Sequence, residues 1–242
     1  MRATEFEFRH RFWFIVLIFA AAFGCYIFEP VNAVEWLLKL LGNSGPGVFP
    51  APAHFIFAAG AAAVAAAAWM RTWGTAYLNT EVVHDRAAHS ERLVADGPYR
   101  YVRNPLYLGN ILLAFGLCLM ASPIGAVVLV AGMGFFVRRL VGYEEGLLLG
   151  KQGAAYQLFL ERVPRLWPAL RPRLPAGKAQ PRWAQAWGGE MWMWAIFAGS
   201  AAFALTLNPK LFDYIVWGGF IIFYAPLRIL IRRRTHGTPD AS

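Results

Sequence analysis

Six long stretches of this 242-residue chain are almost free of charged side chains. They are residues 12–28, 54–70, 105–121, 123–137, 191–207 and 214–227. A helix needs roughly 20 apolar residues to cross about 30 Å of hydrocarbon, and the tryptophans, tyrosines and arginines that flank these runs extend them to that length. Charged residues make up only 15% of the chain, too few to cover a soluble globule of this size. The sequence therefore predicts an all-α, polytopic membrane bundle of about six transmembrane helices.

The lysines and arginines are distributed unevenly between the segments that join these runs. If all six runs cross the membrane, 21 of the 23 lie on one side, in the N-terminal arm, residues 71–104, residues 138–190 and the C-terminal end. Basic segments stay in the cytoplasm, so both termini and the side that carries the polar clusters are predicted to be cytoplasmic. We expect no nucleic-acid partner despite the net charge of +9, because the charges flank apolar runs and form no separate domain.

Composition also predicts how the chain is divided. Four parts are expected: a first span with an outer loop (1–53), a core (54–165), a basic proline-rich linker (166–190), and a pair of spans with a basic tail (191–242). The core is expected to contain a helical hairpin (105–140) and a cytoplasmic helix (143–161). Asn104, Ser122 and Asn208 each precede a proline, a pattern typical of a helix N-cap and its first residue. The alanines around Gly60 indicate close helix packing.

Two polar clusters stand out from this apolar pattern. The first runs from Gly97 to Gly109, and the second contains Arg138, Arg139 and the adjacent carboxylates Glu144 and Glu145. A hairpin over 105–140 brings both clusters to the same end, so we expect them to meet. A carboxylate pair at the membrane boundary is costly unless it is paired or bound to a ligand, and the available partners are Arg100, Arg103, Arg138 and Arg139.

The two clusters carry a resemblance to a known family. Residues 97–109, Gly-Pro-Tyr-Arg-Tyr-Val-Arg-Asn-Pro-Leu-Tyr-Leu-Gly, resemble the core motif of the integral-membrane methyltransferases, which include isoprenylcysteine carboxyl methyltransferases and phospholipid N-methyltransferases. The second cluster matches that family's C-terminal motif in residue type and spacing, through Glu144, Glu145, Leu148, Gly153, Tyr156 and residues 162–164. Asn104 stands where the family commonly has His, and Phe159 replaces a family Tyr, so no role that needs an imidazole is carried over to position 104.

The resemblance implies S-adenosylmethionine as the cofactor, bound where the two motifs meet. Glu144 and Glu145 suit its ammonium group and ribose hydroxyls, while the helix N-terminus at Asn104-Pro105 suits an anion or a polar edge. Tyrosines suit the adenine or the sulfonium, and glycines allow a close approach of the backbone. The expected cofactor-binding residues are Gly97, Tyr99, Asn104, Pro105, Tyr107, Gly109, Glu144 and Glu145.

Three residues are candidates for the reaction itself. Arg103 is predicted to steer an anionic part of the acceptor, with Asn104 beside it. His89 is predicted to be a solvated loop histidine, or else to lie at the cofactor lid or act as a base toward an amine acceptor. His84, Asp85 and His89 are too few and too loosely spaced for zinc, so we expect no metal.

The sequence leaves alternatives open for both the acceptor and the reaction class. The favoured function is methyl transfer to a lipid-like or amphiphilic acceptor in the membrane, on either oxygen or nitrogen. The alternatives are a membrane reductase that uses a nicotinamide cofactor, since sterol-reductase-type enzymes resemble this region too, and a non-catalytic membrane binding or scaffold protein. Cys25 and Cys118 lie in apolar runs, which favours buried thiols over a disulfide.

Overall fold

The computed structural model describes residues 2–42, 51–78 and 95–224, and within these ranges it is helical, without a strand. This confirms the predicted all-α class for the described part of the chain. The helices are α1 (Glu5–Arg9), α2 (Arg11–Gly24), α3 (Ala33–Leu40), α4 (Ala51–Leu78), α5 (Pro105–Cys118), α6 (Pro123–Gln152), α7 (Ala154–Arg162), α8 (Trp183–Thr206) and α9 (Pro209–Gly219). Short 3₁₀ turns cover Cys25–Ile27 and Gly97–Arg100, and a π-helical turn covers Phe220–Tyr224.

Two of the described helices are long and apolar enough to cross a membrane, namely α4 and α6. The apolar segments Arg11–Ile27 and Pro105–Cys118 are shorter. Many large apolar side chains point outward along the bundle, including Leu17, Phe55 and Phe135, as expected for surfaces that face hydrocarbon rather than water. The count of six spans and the cytoplasmic side of the termini stay predictions.

Helices α4 and α5 cross at small residues. A Cβ atom added at Gly60 would lie 2.9 Å from the Gly116 carbonyl oxygen, and one added at Gly116 would lie 2.5 Å from a Val64 methyl carbon. The two backbones are therefore closer than any larger residue permits. This confirms that the small residues of the second apolar run serve helix packing.

A buried ion pair attaches α8 to α4. Arg71 on α4 donates two hydrogen bonds to the Glu190 carboxylate on α8, at 2.8 and 3.0 Å, and a third to the Asn110 side-chain oxygen on α5 at 2.8 Å. The Thr75 hydroxyl donates to the same carboxylate at 2.8 Å. Glu190 is only 5% exposed, so its charge is compensated by these donors rather than by water. The C-terminal helix pair is thus joined to the core through side chains of three helices.

Two local predictions are corrected by the structure. The helix expected over 143–161 is two helices, because α6 continues to Gln152 and Gly153 then adopts a positive φ of 54° that separates it from α7. Ser122 and Asn208 accept the expected capping hydrogen bonds. Asn104 occupies the N-cap position without a side-chain cap, because its amide donates instead to the Arg165 carbonyl at 3.1 Å.

The Arg71–Glu190 pair makes a measurable contribution to stability. Replacing Glu190 by Ala leaves the buried Arg71 charge without its carboxylate, and breaking such a pair costs about 3–5 kcal/mol. We expect Glu190→Ala to lower the melting temperature in detergent by roughly 2–4 °C for each kcal/mol lost. The matched control is Glu5→Ala, which breaks the exposed Arg9–Glu5 pair and should cost under about 1 kcal/mol. Equal melting temperatures for the two variants would contradict the structural role of the buried pair.

Candidate functional site

The first motif begins in a tight turn that only glycine fits. Gly97 has a φ of 56°, and a Cβ atom there would come within 2.3 Å of the Tyr77 ring. The following Gly97–Arg100 turn closes on the Pro98 carbonyl, which accepts hydrogen bonds from the backbone of Tyr101 and Val102 at 2.9 and 3.0 Å. Pro98, Tyr99 and Val102 are buried, so the motif forms a fixed loop that leads directly into α5.

The two polar clusters meet at the Glu145 carboxylate, as the hairpin predicts. Arg103 Nη1 in the first motif lies 3.4 Å from Glu145 Oε1 on α6. Arg165, just beyond α7, holds the same carboxylate with two nitrogens, its Nε lying 3.3 Å from Oε1. The side chains of Glu145 and Arg103 are 7% and 11% exposed, whereas that of Arg165 is 47% exposed. A buried carboxylate thus lies between two guanidinium groups, one inside the fold and one at its surface.

Burial sets the protonation of the groups around this carboxylate. Burial lowers the pKa of the Arg103 guanidinium, and the Glu145 charge opposes that change. An arginine stays protonated at neutral pH in either case. Burial also raises the pKa of Tyr156 on α7 to about 12, with a further increase from Glu145, so its phenol remains neutral. Arg103 Nε is buried without a hydrogen-bond partner among the described residues, so one buried donor of the cluster is unsatisfied.

Glu144 faces a different environment from its neighbour. Its carboxylate lies beside the Tyr107 hydroxyl, its hydrogen-bond partner, and near the Arg11 guanidinium. Successive residues on a helix point about 100° apart, which explains why the two carboxylates diverge. The adjacent pair therefore supplies two carboxyl groups with different neighbours on α6.

An open pocket of about 300 Å³ adjoins Glu145. Its lining is more polar than apolar and includes three arginines, one of them from the N-terminal arm. The lining residues are Arg2, Arg138, Gly142, Glu145, Gly146, Leu149, Leu160 and Arg165. Neither Arg2 nor Arg165 was among the expected partners of the carboxylates. The available signal for Arg165 was its position directly after the Arg162-Val163-Pro164 stretch, whereas Arg2 carries no local signal.

Residues 164–179, here called the strap, lie along the first motif. The Arg103 backbone donates to the Pro164 carbonyl at 2.9 Å, and the Tyr101 carbonyl accepts from the Ala169 backbone at 3.0 Å. At the far end, the Asp96 carboxylate accepts from the backbone of Gly177 and Ala179. The strap covers residues 166–179 of the segment predicted as a linker (166–190), whose last eight residues belong to α8. These bonds hold the strap against the motif loop.

The other predicted site residues are distributed between the pocket and the helix contacts. A Cβ atom at Gly109 would lie 2.4 Å from Arg71 Cγ, and one at Gly74 would lie 3.3 Å from Pro105 Cγ, so both motif residues pack against α4. Of the four candidate arginines, Arg103 pairs with Glu145, and Arg138 lines its pocket. Arg139 instead pairs with Glu7 at 2.7 Å, and Arg100 donates to the Leu174 carbonyl at 2.9 Å. His84, Asp85 and His89 lie outside the described residues.

Comparison with known proteins agrees with the resemblance of the motifs. Residues 55–152 match a family model described as phospholipid methyltransferase. The matched range contains α5, most of α4 and all of α6, and therefore Arg103, Glu144 and Glu145. Arg2, Arg165 and Glu190 lie outside it. No curated protein and no solved structure matches the chain significantly.

Gly97 tests whether the motif loop depends on its turn. An Ala at position 97 meets the Tyr77 ring and requires a left-handed backbone, which destabilises by more than about 1 kcal/mol. We expect Gly97→Ala to lower the melting temperature by several degrees. The matched control is Gly134→Ala on α6, where the added Cβ meets nothing within 4 Å and helix propensity favours Ala by about 1 kcal/mol. A Gly97→Ala protein as stable as Gly134→Ala would show that the loop tolerates another conformation.

Proposed function

We propose that this protein is a membrane-embedded methyltransferase that moves a methyl group from S-adenosylmethionine to a lipid-like or amphiphilic acceptor by in-line displacement. The observation that supports this most is the contact between the two motifs at Glu145. The match to the phospholipid methyltransferase family over residues 55–152 supports the reaction class.

The charges around Glu145 fit the cofactor's amino-acid end. That end carries one ammonium and one carboxylate, and the pocket offers one carboxylate among three guanidinium groups. Glu145 would hold the ammonium through a charge-assisted hydrogen bond, and Glu144 with Tyr107, about 100° further round α6, would hold ribose hydroxyls. S-adenosylmethionine supplies a methyl group activated by its sulfonium. The uncapped N-terminus of α5 adds backbone donors for a polar edge.

The protein's own contribution is to hold the two reactants in line and to exclude water. The motif loop is held by α6 through Glu145 and by the strap through backbone bonds, so its side chains have fixed positions. Alignment of this kind contributes up to roughly 7–11 kcal/mol to a two-reactant step. Arg103 would orient an anionic group of the acceptor, and Asn104, whose amide is held by the strap, would position the start of α5. His89 stays a predicted base for an amine acceptor.

An amphiphilic acceptor would reach this site from the side rather than through water. Each methylene lifted out of hydrocarbon costs about 0.8 kcal/mol, so a lipid tail would remain in the bilayer. The outward-facing apolar residues of α5 and α6, such as Phe115 and Phe135, provide a hydrocarbon-compatible surface on the two helices that carry the site. The polar head would then meet the cofactor at the membrane boundary.

Transfer of a labelled methyl group tests the function directly. The purified protein, in vesicles made from the host's own lipid extract, would be incubated with methyl-labelled S-adenosylmethionine, and the lipid phase would be extracted and counted. Label in the lipid fraction, lost on competition with S-adenosylhomocysteine, is the expected result. A protein that transfers no label and instead binds a nicotinamide cofactor would overturn the proposal in favour of a reductase.

Glu145 is expected to be required for cofactor affinity. Glu145→Gln keeps the side-chain shape but removes the charge that would pair with the ammonium, a loss of about 2–5 kcal/mol, or more than tenfold in affinity. Calorimetric titration with S-adenosylhomocysteine measures this affinity. Glu161→Gln is the matched control, since Glu161 is exposed on α7. Unchanged affinity in both the Glu144→Gln and Glu145→Gln proteins, with normal melting temperatures, would refute this placement of the cofactor.

Arg103 is expected to affect the acceptor more than the cofactor. In Arg103→Ala the Glu145 carboxylate keeps its two contacts with Arg165, so the cofactor pocket retains a paired carboxylate. We expect turnover to fall at least tenfold while affinity for S-adenosylhomocysteine changes by less than threefold. The opposite outcome, lost cofactor binding with normal turnover at saturating cofactor, would place Arg103 in the cofactor site.

A further inference from the structure

Arg2, which lies outside the family match, and Arg138, which lies within it, give the pocket beside Glu145 a second, cationic part. We propose that this pocket is a subsite for the zwitterionic end of a ligand, in which Glu145 receives an ammonium group and Arg2 with Arg138 receives an oxyanion. The identity of the ligand rests on the proposed function, whereas the charge pattern belongs to the described residues themselves.

The pocket contains more positive charge than its own carboxylate neutralises. Three guanidinium groups and one carboxylate line it. Arg165 is already paired with that carboxylate. Among the described residues, Arg2 and Arg138 make no ion pair or hydrogen bond through their side chains. Two guanidinium groups that converge on one cavity bind an oxyanion well, because each offers a fixed fork of N–H donors.

Arg138 is placed in the pocket by helix geometry. Arg138, Gly142, Glu145 and Leu149 recur at spacings of three or four residues, so they share one face of α6. Gly142, between Arg138 and Glu145 on this face, adds no side chain to it. The cationic and anionic groups on α6 therefore belong to the same concave surface, about two helical turns apart.

Arg2 is placed there by the N-terminal arm. The Ala3 backbone donates to the Arg139 carbonyl at 3.0 Å, and Ala3 is buried beside Phe136 and Leu140. Glu7 pairs with Arg139 at 2.7 Å, and the capping box between Thr4 and Glu7 starts α1. Arg2 itself extends over α6, since its Nη1 atom is 3.0 Å from the position a Cβ at residue 146 would occupy.

These contacts mean that the arm is attached to α6 next to the pocket. Arg2 and Arg138 thus approach the cavity from two separate elements, which lets them bind an oxyanion from two directions. An anion bound there would also strengthen the attachment of the arm, because it would link Arg2 to α6.

Two ligands of the proposed reaction carry an ammonium group and an oxyanion close together. One is the methionine end of S-adenosylmethionine, with its α-ammonium and α-carboxylate. The other is an acceptor headgroup with an amine and a phosphodiester. Both present the same chemistry to Glu145, Arg2 and Arg138, and they differ in whether the oxyanion belongs to the cofactor or to the acceptor.

Calorimetry on the full chain in detergent micelles distinguishes them with three probes. S-adenosylhomocysteine carries the carboxylate, its decarboxylated analogue lacks that group alone, and glycerophosphoethanolamine carries the phosphodiester. The variants are Arg2→Gln, Arg138→Gln and the pair together. Arg171→Gln is the control, since Arg171 is exposed on the strap and does not line the pocket.

The proposal predicts a selective loss. If the oxyanion belongs to the cofactor, Arg138→Gln and the double variant bind S-adenosylhomocysteine at least tenfold more weakly, while the decarboxylated analogue changes less than twofold. If the oxyanion belongs to the acceptor, these variants instead lose affinity for glycerophosphoethanolamine. Arg171→Gln leaves all three affinities within twofold of the unmodified protein.

Other results overturn the proposal. Equal weakening of all three probes would show that the arginines act only on the fold, and unchanged affinities would show that they bind no oxyanion. Failure of the unmodified protein to bind either oxyanion probe would also show that the pocket binds no oxyanion. If it binds glycerophosphoethanolamine in an arginine-dependent way but neither adenosyl compound, the subsite stands and the proposed cofactor is wrong.

Discussion

The buried carboxylate of Glu145 is the group on which the arrangement of the site depends. A carboxylate on a side chain that is 7% exposed is tolerated only when other groups compensate its charge. Arg103 and Arg165 do so from two segments that are distant in sequence. Satisfying this one charge therefore fixes the motif loop, α6 and the start of the strap relative to each other. Its two-sided pairing also explains why the strap follows the loop so closely, because the backbone of Arg103 bonds to Pro164 beside the same contact.

A second buried charge helps to hold the C-terminal helices against the core. Glu190 on α8 is held by Arg71, with Thr75 adding a hydroxyl donor. Arg71 lies within the range that matches the phospholipid methyltransferase family, whereas Glu190 lies outside it. The C-terminal helices are thus joined to the matched core by a polar contact, and such contacts hold helices together where lipid removes most of the hydrophobic drive for association. Removing either charge would leave a buried unpaired group at the contact between α4 and α8, which apolar side chains such as Met193 and Phe203 also form.

Much of this could be predicted from local sequence. Charge-free runs predict helices, prolines after Ser122 and Asn208 mark where two of them begin, and a hairpin with polar clusters at both ends brings those clusters together. Contacts between distant segments could not be predicted in this way. Arg165 and Arg2 reach Glu145 and its pocket from 20 and 143 positions away, and the Asn104 amide bonds to the strap rather than capping α5. Hydropathy and capping rules concern neighbours along the chain, so they carry no information on which distant arginine completes a buried pair.

Photolabelling with methyl-labelled S-adenosylmethionine tests most directly whether the two motifs form one cofactor site. The purified full chain would be irradiated with the labelled cofactor, digested, and the labelled peptides identified by mass spectrometry, with unlabelled S-adenosylhomocysteine as competitor. We predict competable label in peptides from residues 95–109 and 138–165 and its loss in Glu145→Gln. Competable label confined to residues 183–224, or labelling that S-adenosylhomocysteine does not displace, would contradict a cofactor site centred on Glu145.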